Sequence, residues 1–332
     1  MQKNRKVVLE RRPRGVHDSA CFRVVEEDVA SPTGLEVLVQ VARLSIDPFI
    51  RTSINEESYH ASVPIGGTIT ALGVGRVLAS GNPDLKPGDA VFGPLGVQTH
   101  AKIPGAFLRK LDPAIAPMNA YLGVLGLTAG LTSWFGVRDV GLVKPGETFV
   151  VSAAAGAVGS LAGQIAKLEG ARVIGFAGGA SKTSYLVDEL GFDAAIDYKR
   201  EDVAARLRQI APDGVDVYFD NVGGELLDVV LDQIRTRARI VICGAISQYQ
   251  NMEHVRGPSL YLRLAERHAR MEGFAVTHFA PHFAEAEAAL ARLLAAGKLS
   301  LREHVEQGIE RFPETLARLF DGSHIGKLVL EV

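Results

Sequence analysis

Cysteine is scarce: the 332 residues contain two, Cys21 and Cys243, far apart in the chain. Two such residues build neither a disulfide framework nor a cysteine-rich zinc site, and they suit a reducing cytoplasm. A field of one sign is also missing. Lys and Arg number 36 and Asp and Glu 38, a net charge of −2, so nothing recruits nucleic acid or an anionic membrane. No apolar run approaches ~18 residues, and no membrane span is expected. The opening MQKNRKVVLERRPRG has no apolar stretch of the kind a secretory signal needs. Neither a G-x-S-x-G elbow nor a Walker lysine loop occurs, which argues against the hydrolase and nucleotide-triphosphatase readings. Among nine histidines, His278 and His282 lie four apart, but Pro281 between them disfavours the helix that would align them. No metal site is expected.

Glycine, by contrast, is abundant: 35 residues, against a usual share of about 7%. Apolar residues make up 47% and charged residues 22%, the balance of a soluble globular protein. At ~150 residues per domain the length suggests two domains. Residues 1–120 read as short strands broken by turns: Val7–Leu9, Glu36–Val41, Gly73–Ala79 and Ala90–Phe92, separated by Gly81-Asn82-Pro83 and Lys86-Pro87-Gly88-Asp89. Cys21 falls in a predicted strand. Near residue 122 the pattern changes. Strands are predicted at Thr148–Ala153, Arg172–Ala177, Ala194–Asp197, Val215–Asn221 and Arg239–Ala245. Helices are predicted after Gly156 and over Lys182–Leu190, Asp202–Ile210 and Glu225–Ile234. Such alternation means crossover units and a parallel sheet covered on both faces. A further helix spans 283–296, and Lys327–Val332 ends the chain as a strand.

The strand Thr148–Ala153 runs into Ala154-Ala155-Gly156-Ala157-Val158-Gly159 and then a helix. This is the dinucleotide fingerprint with alanine for its first glycine. Gly156 lets backbone approach a pyrophosphate, Gly159 lets helix and strand pack closely, and the helix N-terminus offers N–H groups to an anion. About 20 positions on, an NAD-selective site places an acid. Here stand Phe176-Ala177-Gly178-Gly179-Ala180-Ser181-Lys182, a hydroxyl and a cation without an acid. That suits a 2′-phosphate and predicts NADP. Ser181 also reads as a cap of the helix beginning at Lys182, which is compatible with phosphate binding.

Five segments carry a resemblance. They are Leu44-Ser45-Ile46-Asp47-Pro48-Phe49-Ile50-Arg51, Gly126-Leu127-Thr128-Ala129, Ala153 to Ser160, Phe219-Asp220-Asn221-Val222-Gly223-Gly224 and Ile242-Cys243-Gly244-Ala245-Ile246-Ser247. The chain resembles the zinc-independent branch of the medium-chain dehydrogenase/reductase superfamily, in the group of leukotriene B4 12-hydroxydehydrogenase, prostaglandin reductase and 2-alkenal (double-bond) reductase. The resemblance implies an α/β protein: a Rossmann domain over 123–298, and a GroES-like, mostly β catalytic domain from 1–122 plus 299–332. Where zinc relatives carry a Cys ligand and a Gly-His-Glu motif, this chain has Ser45-Ile46-Asp47 and Gly66-Gly67-Thr68.

The resemblance also distributes the site residues. Gly156, Ala157, Val158 and Gly159 take the NADPH pyrophosphate, and Lys182 and Tyr198, beside Ser181, the 2′-phosphate side. Asn221 takes the nicotinamide half. Cys243, Gly244, Ala245, Ile246, Ser247 and Tyr249 follow the nicotinamide edge, and Phe274, Ala275 and Val276 contact its end. The family's C-terminal Asn falls on His324, a departure. Phe49 stands where the family often has Tyr, and Tyr59 falls near its substrate-entrance tyrosine.

The implied reaction is metal-free, NADPH-dependent reduction of the C=C bond of α,β-unsaturated aldehydes or ketones, with hydride passing to the β-carbon. A donor must then meet the enolate-like oxygen. Tyr249 is the candidate, either as that donor or as a pocket contact. Asn221 serves turn chemistry or the cofactor, and the switch-point position favours the cofactor. Asp47 and Arg51 are expected to form a structural ion pair or anchor, and Cys243 to be a small core residue. The competing readings are an NADPH:quinone oxidoreductase and an NADPH-binding protein without turnover. The expected partner is a small enone or enal, with the loop 248–262 shaping the pocket. Family likeness and an exposed edge strand imply a homodimer.

Overall fold

The computed structural model describes residues 2–56 and 61–332. The chain divides into two compact units. One holds the chain up to Leu122 with Tyr249–Asn251 and Glu303–Val332, the other Gly123–Gln248 with Met252–Arg302.

The second unit is built on a six-stranded sheet in which every pairing is parallel. In space the strands run Ala194–Asp197, Arg172–Ala177, Thr148–Val151, Val215–Asp220, Ile234–Ile242 and Arg270–Gly273. The order is third, second, first, fourth, fifth, sixth, which reverses between Thr148–Val151 and Val215–Asp220 and leaves a crevice at their carboxyl ends. Central strands bury both faces. Phe149, Val150, Val151, Val217, Tyr218 and Phe219 have no exposed surface, which is why they read as continuous apolar runs. Helix Ala157–Leu168 turns Leu161, Ala162, Ile165 and Ala166 inward.

Several boundaries differ from expectation; the predicted helix Glu225–Ile234, for one, runs Gly224–Leu231, and Ile234 opens the next strand. The first strand ends at Val151, because Ala153 takes a left-handed φ of +47° that no strand accommodates. The fifth strand runs Ile234–Ile242 and stops before Cys243. The predicted Lys182–Leu190 helix begins at Ala180 and passes into a wider π turn over Tyr185–Glu189. Gly179, at φ +99°, is its N-cap, so Ser181 lies inside the helix and does not cap it.

The first unit is mostly β. A sheet orders Glu303–Gln307, Lys327–Glu331, Glu36–Ser45, Gly73–Ser80, Ala90–Gly93 and Arg109–Lys110, and His100–Pro104 also pairs with Glu36–Ser45. Residues from both chain ends share its core: Val37, Val39, Leu44 and Ile50 pack with Phe312, Leu316, Leu328 and Leu330. Strands Lys3–Leu9 and Phe22–Asp28 pair antiparallel beside it. Cys21 closes a short 3-10 turn, Ser19–Cys21, ahead of the second of these strands.

Candidate functional site

The switch point is assembled around Asp220, the last residue of its strand. Its carboxylate accepts from Tyr218 OH (2.9 Å), Ser152 Oγ (3.0 Å) and the N–H groups of Val222 and Gly223 (both 3.0 Å). Its carbonyl accepts from the N–H of Cys243 (2.9 Å) and Gly244 (3.1 Å). One residue therefore ties the ends of two strands to the turn that follows. Burial pushes the Asp220 carboxyl above its usual range, against the hydrogen bonds from Gly223, Val222, Tyr218 and Ser152. Burial, with Asp220 nearby, also pushes the Cys243 thiol up to about 12, so the sulfur carries a proton at neutral pH and is a poor nucleophile.

Asn221 reaches across the same crevice. Its Nδ2 donates to the Ser152 carbonyl (2.8 Å) and its N–H to Ser152 Oγ (2.8 Å). The side chain is oriented by the neighbouring strand, which leaves its oxygen for other work. The segment beyond Cys243 is strapped to this turn. Ile246 N–H donates to the Asn221 carbonyl (3.1 Å), and Ser247 Oγ donates to the Val222 carbonyl (2.6 Å). Gln248 then clasps Arg256 through both amide atoms (3.1 and 2.7 Å), which folds the following loop onto itself.

Across the crevice lies the glycine loop. Gly156 is the N-cap of helix Ala157–Leu168 and supplies no side-chain cap, so the first N–H groups of the helix point outward for an anion. A Cβ at Gly156 would meet only the Ala153 carbonyl oxygen, at 3.2 Å, whereas one at Gly159 would lie 2.4 Å from that oxygen and 2.8 Å from Ala154 Cα. Gly156 thus leaves an open approach, and Gly159 lets helix and turn touch. Ala154 replaces glycine without strain, because the left-handed conformation falls on Ala153 instead. This cradle of small residues and outward N–H groups fits a dinucleotide pyrophosphate.

The neighbouring strand ends at Ala177 and is followed by Gly178-Gly179. The buried Asp197, closing the edge strand, accepts from Gly179 N–H (2.8 Å) and Lys199 N–H (3.1 Å). That acid is occupied by backbone donors. Tyr198 is 43% exposed, and Lys182 lies on the helix that Gly179 caps. The Phe274 ring packs on Gly136, whose Cβ would lie 2.9 Å from Phe274 Cζ, and Ala275 and Val276 lead into the 3-10 helix Val276–His282.

In the first unit, Tyr249 is half-buried and precedes Gln250, whose carbonyl accepts from Arg51 Nη2 at 3.4 Å. Arg51 is buried and donates also to the Gly15 carbonyl (2.6 Å) and Asn55 Oδ1 (2.5 Å). It does not pair with Asp47. That carboxylate takes Lys327 Nζ at 2.6 Å, along with the Ser45 hydroxyl. The turn of helix Pro48–Ser53 sets Arg51 beneath a strand loop, while Lys327 arrives from a strand that no local spacing reveals. Phe49 packs against the core of this unit, and His324 Nδ1 donates to the Arg318 carbonyl (2.9 Å). Tyr59 lies outside the described residues. Sequence reasoning passed over Ser152, Asp197 and Lys199; the available signal was an acid closing an otherwise apolar strand, as in VDVYFD and AAID.

Among the described residues no three His, Cys, Asp or Glu side chains are placed to hold a metal ion, so these residues do not fit a zinc centre. His278 and His282 both lie in the 3-10 helix Val276–His282, which contains Pro281; at about three residues per turn, positions four apart do not share a face. No helix among the described residues is long and apolar enough to cross a membrane.

A parallel sheet of this order with an open small-residue loop at its switch point defines a dinucleotide-binding fold. Residues 5–111 match a family model described as the N-terminal domain of oxidoreductase, and residues 157–295 one described as zinc-binding dehydrogenase. The chain is 41% identical to 2-alkenal reductase (NADP(+)-dependent) of Nicotiana tabacum, over 90% of this chain and 87% of that protein. It is 38% identical to the NADPH-dependent curcumin reductase of Escherichia coli (strain K12), over 100% and 97%. CurA from Vibrio vulnificus, solved in complex with NADPH, matches with a TM-score of 0.92 at 36% identity, covering 99% of both chains. The chain belongs to the zinc-independent medium-chain dehydrogenase/reductase family, in the group that includes the alkenal, curcumin and prostaglandin reductases, and is an oxidoreductase.

Proposed function

We propose that the chain is an NADPH-dependent reductase of the conjugated C=C bond in α,β-unsaturated aldehydes or ketones. The observation that carries this reading is likeness along nearly the whole chain to reductases of alkenals and of curcumin. The open loop at Gly156 and the acid-free turn at Gly178–Lys182 support NADPH as the cofactor. When bound, NADPH supplies the hydride, which is delivered to the β-carbon.

The chain's own residues bind, orient and protonate. Gly156 to Gly159 hold the pyrophosphate. Ser181, Lys182 and Tyr198 face the 2′-phosphate. Asn221, the strip from Cys243 to Ser247 and the backbone of Phe274, Ala275 and Val276 orient the nicotinamide half, and Asp220 positions the first two of these. Charge grows on the substrate's carbonyl oxygen as the β-carbon is reduced, Tyr249 donates a hydrogen bond to it, and the α-carbon takes its proton from that phenol or from water. A phenol, with a reference pKa near 10, holds its proton at neutral pH. Phe49 and Tyr59 are assigned to the substrate and His324 to the cofactor.

An NADPH-oxidation panel across enals, cyclic enones, long-chain enones and quinones tests the reading. Loss of the conjugated absorbance of an enal or enone is expected. Turnover of quinones alone would make the chain a quinone oxidoreductase, and saturable NADPH binding with no turnover would make it a binding protein. A homodimer is also proposed. The edge strand Arg270–Gly273 supports it, and a monomer in light scattering at micromolar concentration would refute it.

A further inference from the structure

Successive side chains normally diverge. Just past the edge strand of the nucleotide-binding unit, Tyr198 and Lys199 instead converge on one point. A Cβ built on Gly178 would lie 2.9 Å from Lys199 Cε and 3.0 Å from both Tyr198 Cζ and Tyr198 OH. The lysine stem and the phenol ring therefore lie together over the glycine that follows the neighbouring strand. Asp197 fixes this arrangement. Its Oδ1 accepts from Lys199 N–H and from Gly179 N–H, which pins the lysine backbone to the glycine turn. Asp197 is itself buried, so the clamp is rigid where the lysine stem begins.

The Lys199 ammonium has no carboxylate partner among the described residues. Many other cations of this unit have one: Lys167 pairs with Asp193, Arg206 with Glu201 and Arg302 with Glu189. A lysine held by its stem against a glycine turn, with its charge left unpaired, is arranged to receive an anion. Gly178 serves this by lacking a side chain, since any Cβ there would displace both the lysine and the phenol.

We propose that Lys199 is a second cation for the cofactor's 2′-phosphate, so that selection of NADPH over NADH is divided between Lys182 and Lys199. The inference rests on the NADPH reading above. Its consequence differs from that of a single-lysine site: removing either cation weakens NADPH and leaves part of the preference, and removing both abolishes it. Lys199 is a specificity residue and takes no part in hydride or proton transfer.

Calorimetric titration of the purified full chain with NADPH, NADH and 2′,5′-ADP tests the proposal without relying on turnover. Lys199→Met keeps the stem and removes the charge. It is expected to weaken NADPH and 2′,5′-ADP by about 5- to 50-fold while changing NADH less than about twofold, as for loss of a charge-assisted contact. Lys199→Arg should restore most of the affinity, and the Lys182→Ala, Lys199→Met double variant should bind NADPH and NADH alike. If wild-type prefers NADPH and Lys199→Met keeps that preference undiminished, or loses both cofactors equally, the inference is overturned and the cofactor reading stands. If wild-type binds both cofactors alike, the cofactor reading fails and the inference with it.

Discussion

Lys327 donates to Asp47 across 280 residues of chain: Nζ and Oδ1 lie 2.6 Å apart, and both side chains are buried. The pair joins the start of helix Pro48–Ser53 to the C-terminal strand Lys327–Glu331 inside the first unit. The C-terminal tail is thereby bonded to that unit by a buried ion pair as well as by sheet pairing with Glu36–Ser45.

Breaking this pair from one side should be severe. Lys327→Met leaves the Asp47 carboxylate buried with the Ser45 hydroxyl as its side-chain partner among the described residues, and loss of one partner of a buried pair costs about 3–5 kcal/mol. Adding Asp47→Asn should recover part of that loss. Urea midpoints of Lys327→Met, Asp47→Asn and the double variant check it; additive losses would show that the two groups do not act as a pair.

His17 makes stability depend on acid. It is buried edge-on between Phe22 and Phe320, with no hydrogen-bond partner for either ring nitrogen among the described residues. Burial, helped by the Arg51 charge and opposed by Asp18, pulls its pKa down to about 4. The folded ring stays neutral while the unfolded ring takes a proton near pH 6.5. The contribution is thus complete above about pH 6.5 and is lost as pH falls toward 4, by up to about 3 kcal/mol. Carboxylates titrate in part of the same range, so the measurement is a difference. His17→Leu should lose less stability than wild-type between about pH 7 and about pH 4.5; parallel pH curves would discount His17.

Gly159→Ala should damage the nucleotide-binding unit. The added methyl would sit 2.4 Å from the Ala153 carbonyl oxygen, which is backbone and cannot swing away. Overpacking of this kind costs about 1–3 kcal/mol, and the displaced helix should also lose NADPH affinity. Gly156→Ala, facing one contact at 3.2 Å, should be tolerated better in stability. Thermal midpoints and NADPH titration separate the two, and equal midpoints would contradict the packing argument.

Tyr249→Phe tests the assigned donor. The ring stays and only the hydroxyl is lost. If the phenol meets charge that develops on the oxygen, turnover should fall about 10- to 1,000-fold, ~1.4–4 kcal/mol, with NADPH affinity nearly unchanged. Full turnover with a raised Michaelis constant would make the hydroxyl a binding group and assign the proton to another source.

Five of the six strands of the nucleotide-binding sheet were legible in the sequence, because the central ones are buried on both faces and announce themselves as apolar runs such as TFVV; the exposed edge strand Arg270–Gly273, RMEG, carries no such run and was missed. The glycine loop was legible too, since a strand, small residues and a helix follow in direct succession. These are local properties: solvent exclusion and backbone sterics act on neighbours in the chain, and composition records them. Tertiary structure alone decided the rest. It gave Asp47 to Lys327 rather than to Arg51, moved the left-handed residue to Ala153, gathered two strand ends on Asp220, and laid Tyr198 and Lys199 together over Gly178. Each of these depends on which distant strand lies alongside. Strand order is set by packing of the whole sheet, and a buried charge takes the partner that this packing delivers rather than the one nearest in sequence.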